Sequence, residues 1–407
     1  MKAVRMLTAI LFFFTAMVFA PKLPVEAQVT GNDGNPMKIV GYFPRYGIYS
    51  SFFVKNLVTS GSAKLLTHIN YAFTNVVNNR CVSFDTYADY QEPVSAQNAV
   101  SGVADTHGGF AGNFHQLQEL KRLYPNIKII MSIGGGSSDP NAFRSAALPQ
   151  NRVAFVKSCV AMYIQGNFAS GLSQPGIFDG FDVDWEFPAS SADRTNFTGL
   201  LAEFRHQLDA VRSGLVLSIA GPNGHWAYQY IDLKNVQQYL TYFGLMTYDY
   251  DGPWKDNTGL VAPLYRSSKD PDPNNNASAT VEGYLEAGVE PEKILFGVPF
   301  YGYEWTNVPN LDNGLFEPGA PKGQGAAYNS IVNIESKFQL HRDSITDAPY
   351  LYDGNNFWTY DDTAAIKFKM AWVRSNNLAG VMAWNLSQDL TNGLLLNTVV
   401  NGLKPQN

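Results

Sequence analysis

Blocks of positive charge are missing from this sequence of 407 residues. Its 29 lysines and arginines are outnumbered by 35 acidic residues, and the net charge of −6 is spread along the chain. A nucleic-acid binder needs a basic surface, so we expect no nucleic-acid partner. Metal-ligand patterns are missing as well, because the six histidines are scattered and no two of them stand at a metal-ligand spacing. We therefore expect no metal site.

Long apolar runs are also missing. The run Leu7–Ala20 has about 14 residues, whereas a membrane-spanning helix needs about 20. Lys2 and Arg5 precede this run, and Val25-Glu26-Ala27 then offers small residues at the positions that a signal peptidase reads. We predict that residues 1–27 are a signal peptide, cut after Ala27, and that the mature protein is secreted, extracellular and free of the membrane. A membrane anchor that is never cut is the alternative.

Cysteine is scarce, with only Cys81 and Cys159 in the chain. An exported protein can form a disulfide bond. However, Cys159 belongs to residues 153–164, whose apolar spacing indicates the buried face of a helix. A buried free thiol fits this pattern as well as a disulfide does, so the sequence leaves both states open.

Short apolar, β-branched runs are abundant, with amphipathic stretches between them. The strand candidates are Lys38–Phe43, Leu65–Phe73, Lys128–Ile133, Gly176–Glu186, Leu215–Ala220, Tyr242–Tyr248, Ile294–Phe300 and Gly380–Trp384. The helix candidates are Asn113–Tyr124, Gln150–Ile164, Ala192–Val211, Thr280–Ala287, Thr363–Ser375 and Leu390–Leu403. Eight strands separated mostly by helical patterns predict an α/β fold, a (β/α)8 TIM barrel over residues 28–405. A doubly wound open sheet is the structural alternative.

One interval is too long for a barrel loop. About 60 residues separate the seventh strand from the helix that begins at Thr363. This interval is rich in glycine, asparagine, proline and tyrosine, and its aromatic side chains need burial. We therefore predict a small α+β insertion at residues 303–358, between the seventh strand and the seventh helix.

The most unusual stretch is FDGFDVDWEFP at residues 178–188, in which acidic and apolar residues alternate. Side chains two residues apart share one face of a strand, so Asp182, Asp184 and Glu186 should line the barrel interior. Three neighbouring carboxylates repel one another and resist desolvation, so at least one pKa should rise. Glu186 would stand at the C-terminal end of the strand, where barrel active sites form. The pattern favours an acid that keeps its proton near neutral pH over a calcium loop or an exposed strand face.

These residues carry a resemblance to a known family. The stretch DGFDVDWE at 179–186 resembles the DGxDxDWE signature of glycoside hydrolase family 18, the chitinases. Further similar motifs follow in the family's order: SIGG at 132–135, MTYD at 246–249, FGVPFYG at 296–302, YDD at 360–362 and GVMAW at 380–384. The likeness runs from about Lys38 to Asp389 and is closest to secreted bacterial chitinases that carry the α+β insertion.

The resemblance implies a retaining reaction that is assisted by the substrate and uses no enzyme nucleophile. The 2-acetamido oxygen of the substrate attacks the anomeric carbon while Glu186 protonates the leaving oxygen, and Glu186 then acts as the base for water. Asp184 would orient the acetamido N–H, and Asp182 would share a proton with Asp184. Tyr248 would hydrogen-bond the acetamido carbonyl. This mechanism requires neither a cofactor nor a metal.

The resemblance also implies a set of substrate-binding residues. Trp384 would form the hydrophobic floor under the sugar. Trp254 would stack on the leaving-group side, although an exposed loop aromatic is an alternative interpretation. The implied substrate-binding residues are Trp384, Met246, Asp249, Tyr42, Phe73, Trp254 and Tyr301.

Two positions depart from the family pattern. Many relatives follow the third-strand motif with a tryptophan that stacks on the first leaving-group sugar, whereas Gly136 stands here. Binding on the leaving side would then be weaker or depend on Trp254. Relatives commonly have an arginine two residues after the tyrosine of the seventh strand, whereas Tyr303 follows Tyr301 here, so a charged contact to the sugar is not implied.

The implied function is that of a secreted chitinase, expected to be a monomer, that hydrolyses the β-1,4 bonds of chitin or chito-oligosaccharides. A chitin-binding lectin on the same fold is one alternative, although such lectins typically lack the acid and Glu186 is intact. An endo-β-N-acetylglucosaminidase acting on protein-linked glycans is another. The predicted insertion favours chitin, because it would deepen a cleft for a long linear polymer.

Overall fold

A closed sheet of eight parallel strands forms the centre of the protein. The computed structural model describes residues 29–32 and 34–405, and the predicted signal peptide lies outside them. The strands are β1 (Lys38–Pro44), β2 (His68–Val77), β3 (Lys128–Gly134), β4 (Gly180–Asp184), β5 (Val216–Gly221), β6 (Tyr242–Leu245), β7 (Ile294–Pro299) and β8 (Gly380–Trp384). Each strand pairs with the next one, and β8 pairs with β1. The predicted TIM barrel is therefore confirmed, and the open-sheet alternative is wrong.

Helices cover the outside of the barrel. The longer ones are Gly112–Leu123, Arg152–Cys159 with its π-helical extension Val160–Ile164, Ser191–Val211, Ala277–Glu286, Thr363–Ser375 and Leu394–Leu403. The shorter ones are Val54–Thr59, Ser62–Leu65, Thr86–Tyr90, Pro140–Ala146, His225–Tyr228, Leu233–Val236 and Tyr328–Ile331. No described helix combines the length and the apolar character that crossing a bilayer would need.

Two of the predicted strands are longer than the observed ones. The fourth was expected over 176–186 and spans Gly180–Asp184, and the sixth was expected to continue to Tyr248 and spans Tyr242–Leu245. At the C-terminal end of each strand the chain leaves the hydrogen-bonded ladder and turns into a loop, as is usual at the mouth of a TIM barrel. Glu186 and Tyr248 therefore belong to loops and not to strands.

A five-stranded antiparallel sheet is inserted between β7 and the helix Thr363–Ser375, the place where the sequence predicts an insertion. Its strands, in spatial order, are Ala320–Ala327, Tyr301–Thr306, Phe357–Thr359, Pro349–Tyr352 and Gln339–Arg342. Trp305 and Phe357 are fully buried. The indole Nε1 of Trp305 donates a hydrogen bond to the carbonyl oxygen of Lys255 at 3.0 Å. The insertion therefore packs against the loop that follows β6.

The acidic strand β4 and its extension have an apolar outer face that anchors them. Phe181, Val183 and Trp185 are at most 2% exposed. The Trp185 ring stacks on Phe143 with 5.7 Å between ring centroids and meets Phe197 edge-on at 5.4 Å. Burial of one such side chain contributes about 2 kcal/mol to stability. This packing fixes the strand, and so it also fixes the carboxylates on the opposite face.

A disulfide bond joins Cys81 and Cys159, which resolves the question that the sequence left open. Cys81 lies in the strand Arg80–Ser83, which pairs with β2 in an antiparallel hairpin, and Cys159 ends the helix Arg152–Cys159. The two cysteines are separated by 78 positions in the sequence. The bond thus ties the β2 hairpin to a helix on the outside of the barrel.

Removal of this bond should lower the free energy of unfolding by about 4 kcal/mol, because the bond restricts the unfolded chain over a long loop. Denaturant unfolding of the wild type and of the double variant Cys81→Ala/Cys159→Ala measures the difference. A reductant should bring the wild type to the level of the variant and should leave the variant unchanged. Equal free energies of unfolding for the two proteins would contradict this expectation.

Candidate active site

Asp182 lies inside the barrel and is held by three hydroxyl groups. Its carboxylate accepts hydrogen bonds from Tyr42 on β1 at 2.7 Å, Ser132 on β3 at 2.8 Å and Ser218 on β5 at 2.7 Å. Burial raises the pKa of Asp182, and the three hydrogen bonds oppose that rise. The result is a fixed polar centre beneath the mouth of the barrel.

Asp184 is the next inward-facing side chain along β4. It is 4% exposed, and its Oδ1 has no hydrogen-bond partner within the described chain. Burial raises the pKa of Asp184 well above its usual range, and the neighbouring carboxylates of Glu186 and Asp182 raise it further. Asp184 therefore binds a proton readily, and its unpaired oxygen can accept a hydrogen bond from a ligand.

Glu186 stands two residues beyond the end of β4. Burial raises its pKa to about 7, and the negative charge of Asp249 contributes to the rise. A carboxyl group with this pKa holds a proton at neutral pH and can also release it. Those are the properties of a general acid that later acts as a base.

Asp249 lies in the loop after β6 and is held through both its side chain and its backbone. Tyr301 and Tyr303 donate hydrogen bonds to its Oδ1 at 2.5 and 2.9 Å. Its φ of 61° lies in the left-handed region, which residues other than glycine adopt uncommonly. The Nδ2 of Asn223 donates to the carbonyl oxygens of Tyr248 at 2.6 Å and of Asp249 at 3.3 Å. These contacts fix the position of the Asp249 carboxylate.

Trp384 lines a cavity of about 380 Å³ at the barrel mouth, which we call the Trp384 cavity. Its ring stacks on Phe73 at 5.5 Å and meets Tyr42 edge-on at 5.1 Å. Tyr248 lines the same cavity, and within the described residues its hydroxyl has one weak partner, the Sδ of Met382 at 3.9 Å. An aromatic surface beside a few fixed polar groups suits a ring that has apolar faces and polar edges.

A second cavity of about 620 Å³, which we call the Trp254 cavity, is lined by Trp226 and Trp254. These side chains are 61% and 55% exposed. Trp226 meets Phe187 edge-on at 5.2 Å, and Trp254 meets Tyr303 edge-on at 5.6 Å. The residues shared with the Trp384 cavity are Glu186, Met246, Tyr248 and Asp249. The acid therefore stands where two partly aromatic cavities meet.

The structure brings the predicted site residues together. The Trp384 cavity is lined by Tyr42, Phe73, Asp184, Glu186, Met246, Tyr248, Asp249, Tyr301 and Trp384, and the Trp254 cavity by Trp254. Asp182 lies below, in contact with Tyr42. Their roles in binding and catalysis stay predictions.

Sequence reasoning missed three residues of the site. Asn223 lies in the loop after β5, Trp226 lies in the short helix His225–Tyr228 that follows this loop, and Arg45 follows β1, with its guanidinium 5.4 Å from the ring centroid of Phe84. A signal was available for the first two, since loops at the C-terminal ends of barrel strands carry functional residues. The same signal applied to Arg45, which directly follows the C-terminal end of β1, although its contact with Phe84 depends on the fold.

The two departures from the family pattern have structural consequences. A Cβ atom at Gly136 would lie 3.4 Å from each carboxylate oxygen of Glu186. The missing side chain thus leaves open space beside the acid. The hydroxyl of Tyr303 donates a hydrogen bond to Asp249, so this position supplies an uncharged donor.

Comparison with known proteins identifies the family. Residues 38–389 match the model of glycosyl hydrolases family 18. Chitinase C of Streptomyces lividans is 34% identical over 377 residues, which cover 89% of this chain and 59% of the relative. Chitinase 63 of Streptomyces plicatus is also 34% identical, over 400 residues that cover 93% of this chain and 64% of the relative. The chain thus spans roughly three fifths of the length of these relatives.

A solved structure agrees with this assignment. The catalytic domain of psychrophilic chitinase B from Arthrobacter TAD20 aligns with a TM-score of 0.85 and 32% sequence identity. The alignment covers 94% of this chain and 97% of that domain. Together with the family match over most of the sequence, this shows that the chain belongs to family 18 of the glycosyl hydrolases.

Proposed function

We propose that the protein is a chitinase that hydrolyses the β-1,4 bonds between N-acetylglucosamine units of chitin or chito-oligosaccharides. The observation that carries this proposal is the place of Glu186, which has a pKa of about 7 and stands where the two cavities meet. An acid in this place can protonate a bond that crosses from one cavity to the other. The relatives named chitinases support the choice of substrate.

In the first step, one sugar occupies the Trp384 cavity and the next one occupies the Trp254 cavity. The acetamido oxygen of the first sugar attacks its anomeric carbon, the bond to the bridging oxygen breaks, and Glu186 gives that oxygen its proton. This step forms an oxazolinium ion and a free leaving group. The unpaired Oδ1 of Asp184 accepts a hydrogen bond from the acetamido N–H, and the Tyr248 hydroxyl donates one to the acetamido oxygen.

In the second step, Glu186 is a carboxylate and takes a proton from a water molecule, whose oxygen attacks the anomeric carbon. The ring bond between that carbon and the acetamido oxygen breaks, which restores the acetamido group and the proton on Glu186. Two displacements at one carbon retain its configuration. An NMR time course should therefore show the β anomer as the first reducing end, and an initial excess of the α anomer would contradict substrate assistance.

We also infer export and a monomeric mature form. The inference of export rests on the sequence of residues 1–27, which has a basic start, an apolar run and a small-residue cleavage site. The exported chain should begin at Gln28. N-terminal sequencing and sedimentation of the exported protein would check both points.

The variant Glu186→Gln should lower kcat on chito-oligosaccharides by about 10³-fold and keep the Kd close to that of the wild type. The amide keeps the shape of the carboxyl group and cannot serve as the acid. Product chromatography measures kcat, and calorimetry measures Kd.

The matched control is Glu282→Gln, on the exposed side of the helix Ala277–Glu286, which should keep wild-type activity. Turnover by Glu186→Gln close to the wild-type rate would rule out Glu186 as the acid. A wild-type protein that binds the oligosaccharides and does not cleave them would be a lectin.

The variant Trp226→Ala should lower kcat/KM for long oligosaccharides about fivefold, which corresponds to about 1 kcal/mol of lost stacking. Substrates too short to contact Trp226 should be unaffected. The control is Leu311→Ala, because Leu311 is equally exposed at 60% and lines neither cavity. Equal kcat/KM values for Trp226→Ala and wild type at every chain length would show that Trp226 does not bind the substrate.

A further inference from the structure

Four carboxylates meet at the mouth of the barrel without a counter-cation. They are Asp182, Asp184, Glu186 and Asp249, and none of them forms an ion pair with any lysine, arginine or histidine of residues 29–32 and 34–405. The cationic side chains that line the two cavities are engaged elsewhere. Lys255 pairs with Asp251, and Arg45 pairs with Asp85 at 3.3 Å.

Asp249 is held by neutral phenols. Tyr301 and Tyr303 donate to the same oxygen of its carboxylate. Burial and the charge of Asp249 raise the pKa of both phenols well above 10, so they stay protonated donors at any working pH. Burial raises the pKa of Asp249, and the hydrogen bonds from Tyr301 and Tyr303 oppose that rise without adding a positive charge.

The charge of Asp249 acts on Glu186. Burial of Glu186 raises its pKa, and Asp249 is the charged group that raises it further. A cation within hydrogen-bonding distance of Asp249 would cancel part of this field. Glu186 would then lose its proton at a lower pH.

We propose that Tyr303 is a positioning residue that holds Asp249 with an uncharged donor in a place that a cation could take, so that the charge of Asp249 extends the activity of Glu186 as an acid to higher pH. This inference rests on the proposed function of Glu186 as the general acid.

Packing around the Tyr303 ring fixes the position of its hydroxyl group. Its ring meets Trp254 edge-on at 5.6 Å and Tyr301 at 5.5 Å. A Cβ atom at Gly325 would lie 2.9 Å from two carbons of the Tyr303 ring, so the backbone of residue 325 packs directly against it. The phenol is therefore held on several sides with its oxygen on Asp249.

Other charged and titratable groups surround Tyr303 and Asp249, and the test must separate the effect of Tyr303 from theirs. They are Tyr42 and Arg45 at the end of β1, Asp182 and Asp184 on β4, His225 after β5, Tyr248, Asp251, Lys255 and Asp272 after β6, and Tyr301 in the insertion. Tyr303 can be changed without altering any of them. A change at Tyr303 that introduces charge should then act through Asp249.

The test is the pH profile of kcat/KM on a soluble chito-oligosaccharide, which reports the free enzyme. In Tyr303→Arg the alkaline limb should move down by about one pH unit, because the guanidinium neutralises Asp249. In Tyr303→Phe and Tyr303→Met the alkaline limb should stay in place, because neither side chain carries charge. The pKa of Asp249 should rise in both variants, because its carboxylate loses a hydrogen-bond donor. In an Asp249→Asn background, Tyr303→Arg should produce no further shift.

An unmoved alkaline limb in Tyr303→Arg would overturn the inference, as would the same shift in the Asp249→Asn background or in Tyr303→Met. A second measurement does not depend on turnover. Titration of the ¹³C-labelled Glu186 carboxyl by NMR, assigned with Glu186→Gln, should show a lower pKa in Tyr303→Arg than in the wild type. If the wild type fails to hydrolyse the substrate while this pKa still shifts, the proposed function falls and the role of Tyr303 stands.

Discussion

The burial of several carboxylates without a counter-cation is the constraint on which this active site depends. A carboxylate taken out of water costs several kcal/mol unless hydrogen bonds or a proton replace its hydration. Both replacements are present here. Hydroxyl donors hold Asp182 and Asp249, whereas Asp184 and Glu186 have no such donors in the described chain and are pushed towards their protonated forms. Burial raises the pKa of all four carboxyl groups, and the hydroxyl donors oppose that rise at Asp182 and Asp249 but not at Asp184 and Glu186.

The barrel makes this arrangement possible because it adds an inward-facing side chain from across the barrel, Tyr42 on β1, to those of the two strands that pair with β4. The hydroxyls on Asp182 come from β1, β3 and β5, and strand pairing fixes their height in the barrel. The outer face of β4 supplies the stability that the acidic face lacks. Trp185, packed between Phe143 and Phe197, holds the chain at the point where it leaves the sheet towards Glu186. One alternating sequence therefore provides both the anchor and the acid.

Much of this could be predicted from local pattern, and the remainder depends on contacts that local pattern does not encode. The alternation at 178–188 predicted the two faces of β4, and the succession of strand and helix patterns predicted the barrel. The ends of β4 and β6 were placed too late, because apolar residues continue past the last ladder hydrogen bond into loops that are also buried. The disulfide bond and the contact of Tyr303 with Asp249 each join residues more than fifty positions apart. Pairings of that kind follow from the closed fold and not from spacing in the sequence.

The insertion joins the chemistry of the site to its binding surface. The strand Tyr301–Thr306 supplies both phenols that hold Asp249. Trp305 on the same strand donates a hydrogen bond to the carbonyl oxygen of Lys255, next to Trp254 in the loop after β6. The ring of Tyr303 also packs against Trp254 itself. This one strand contacts both Asp249, beside the acid Glu186, and Trp254 in the second cavity. A shift of the insertion would therefore change the proton affinity of Glu186 and the stacking of substrate on Trp254 together. Gly136 adds no side chain to the Trp384 cavity, and the two tryptophans of the Trp254 cavity come from the segments after β5 and β6. The hydrogen bond from Trp305 to the carbonyl oxygen of Lys255 joins the second of these segments to the insertion.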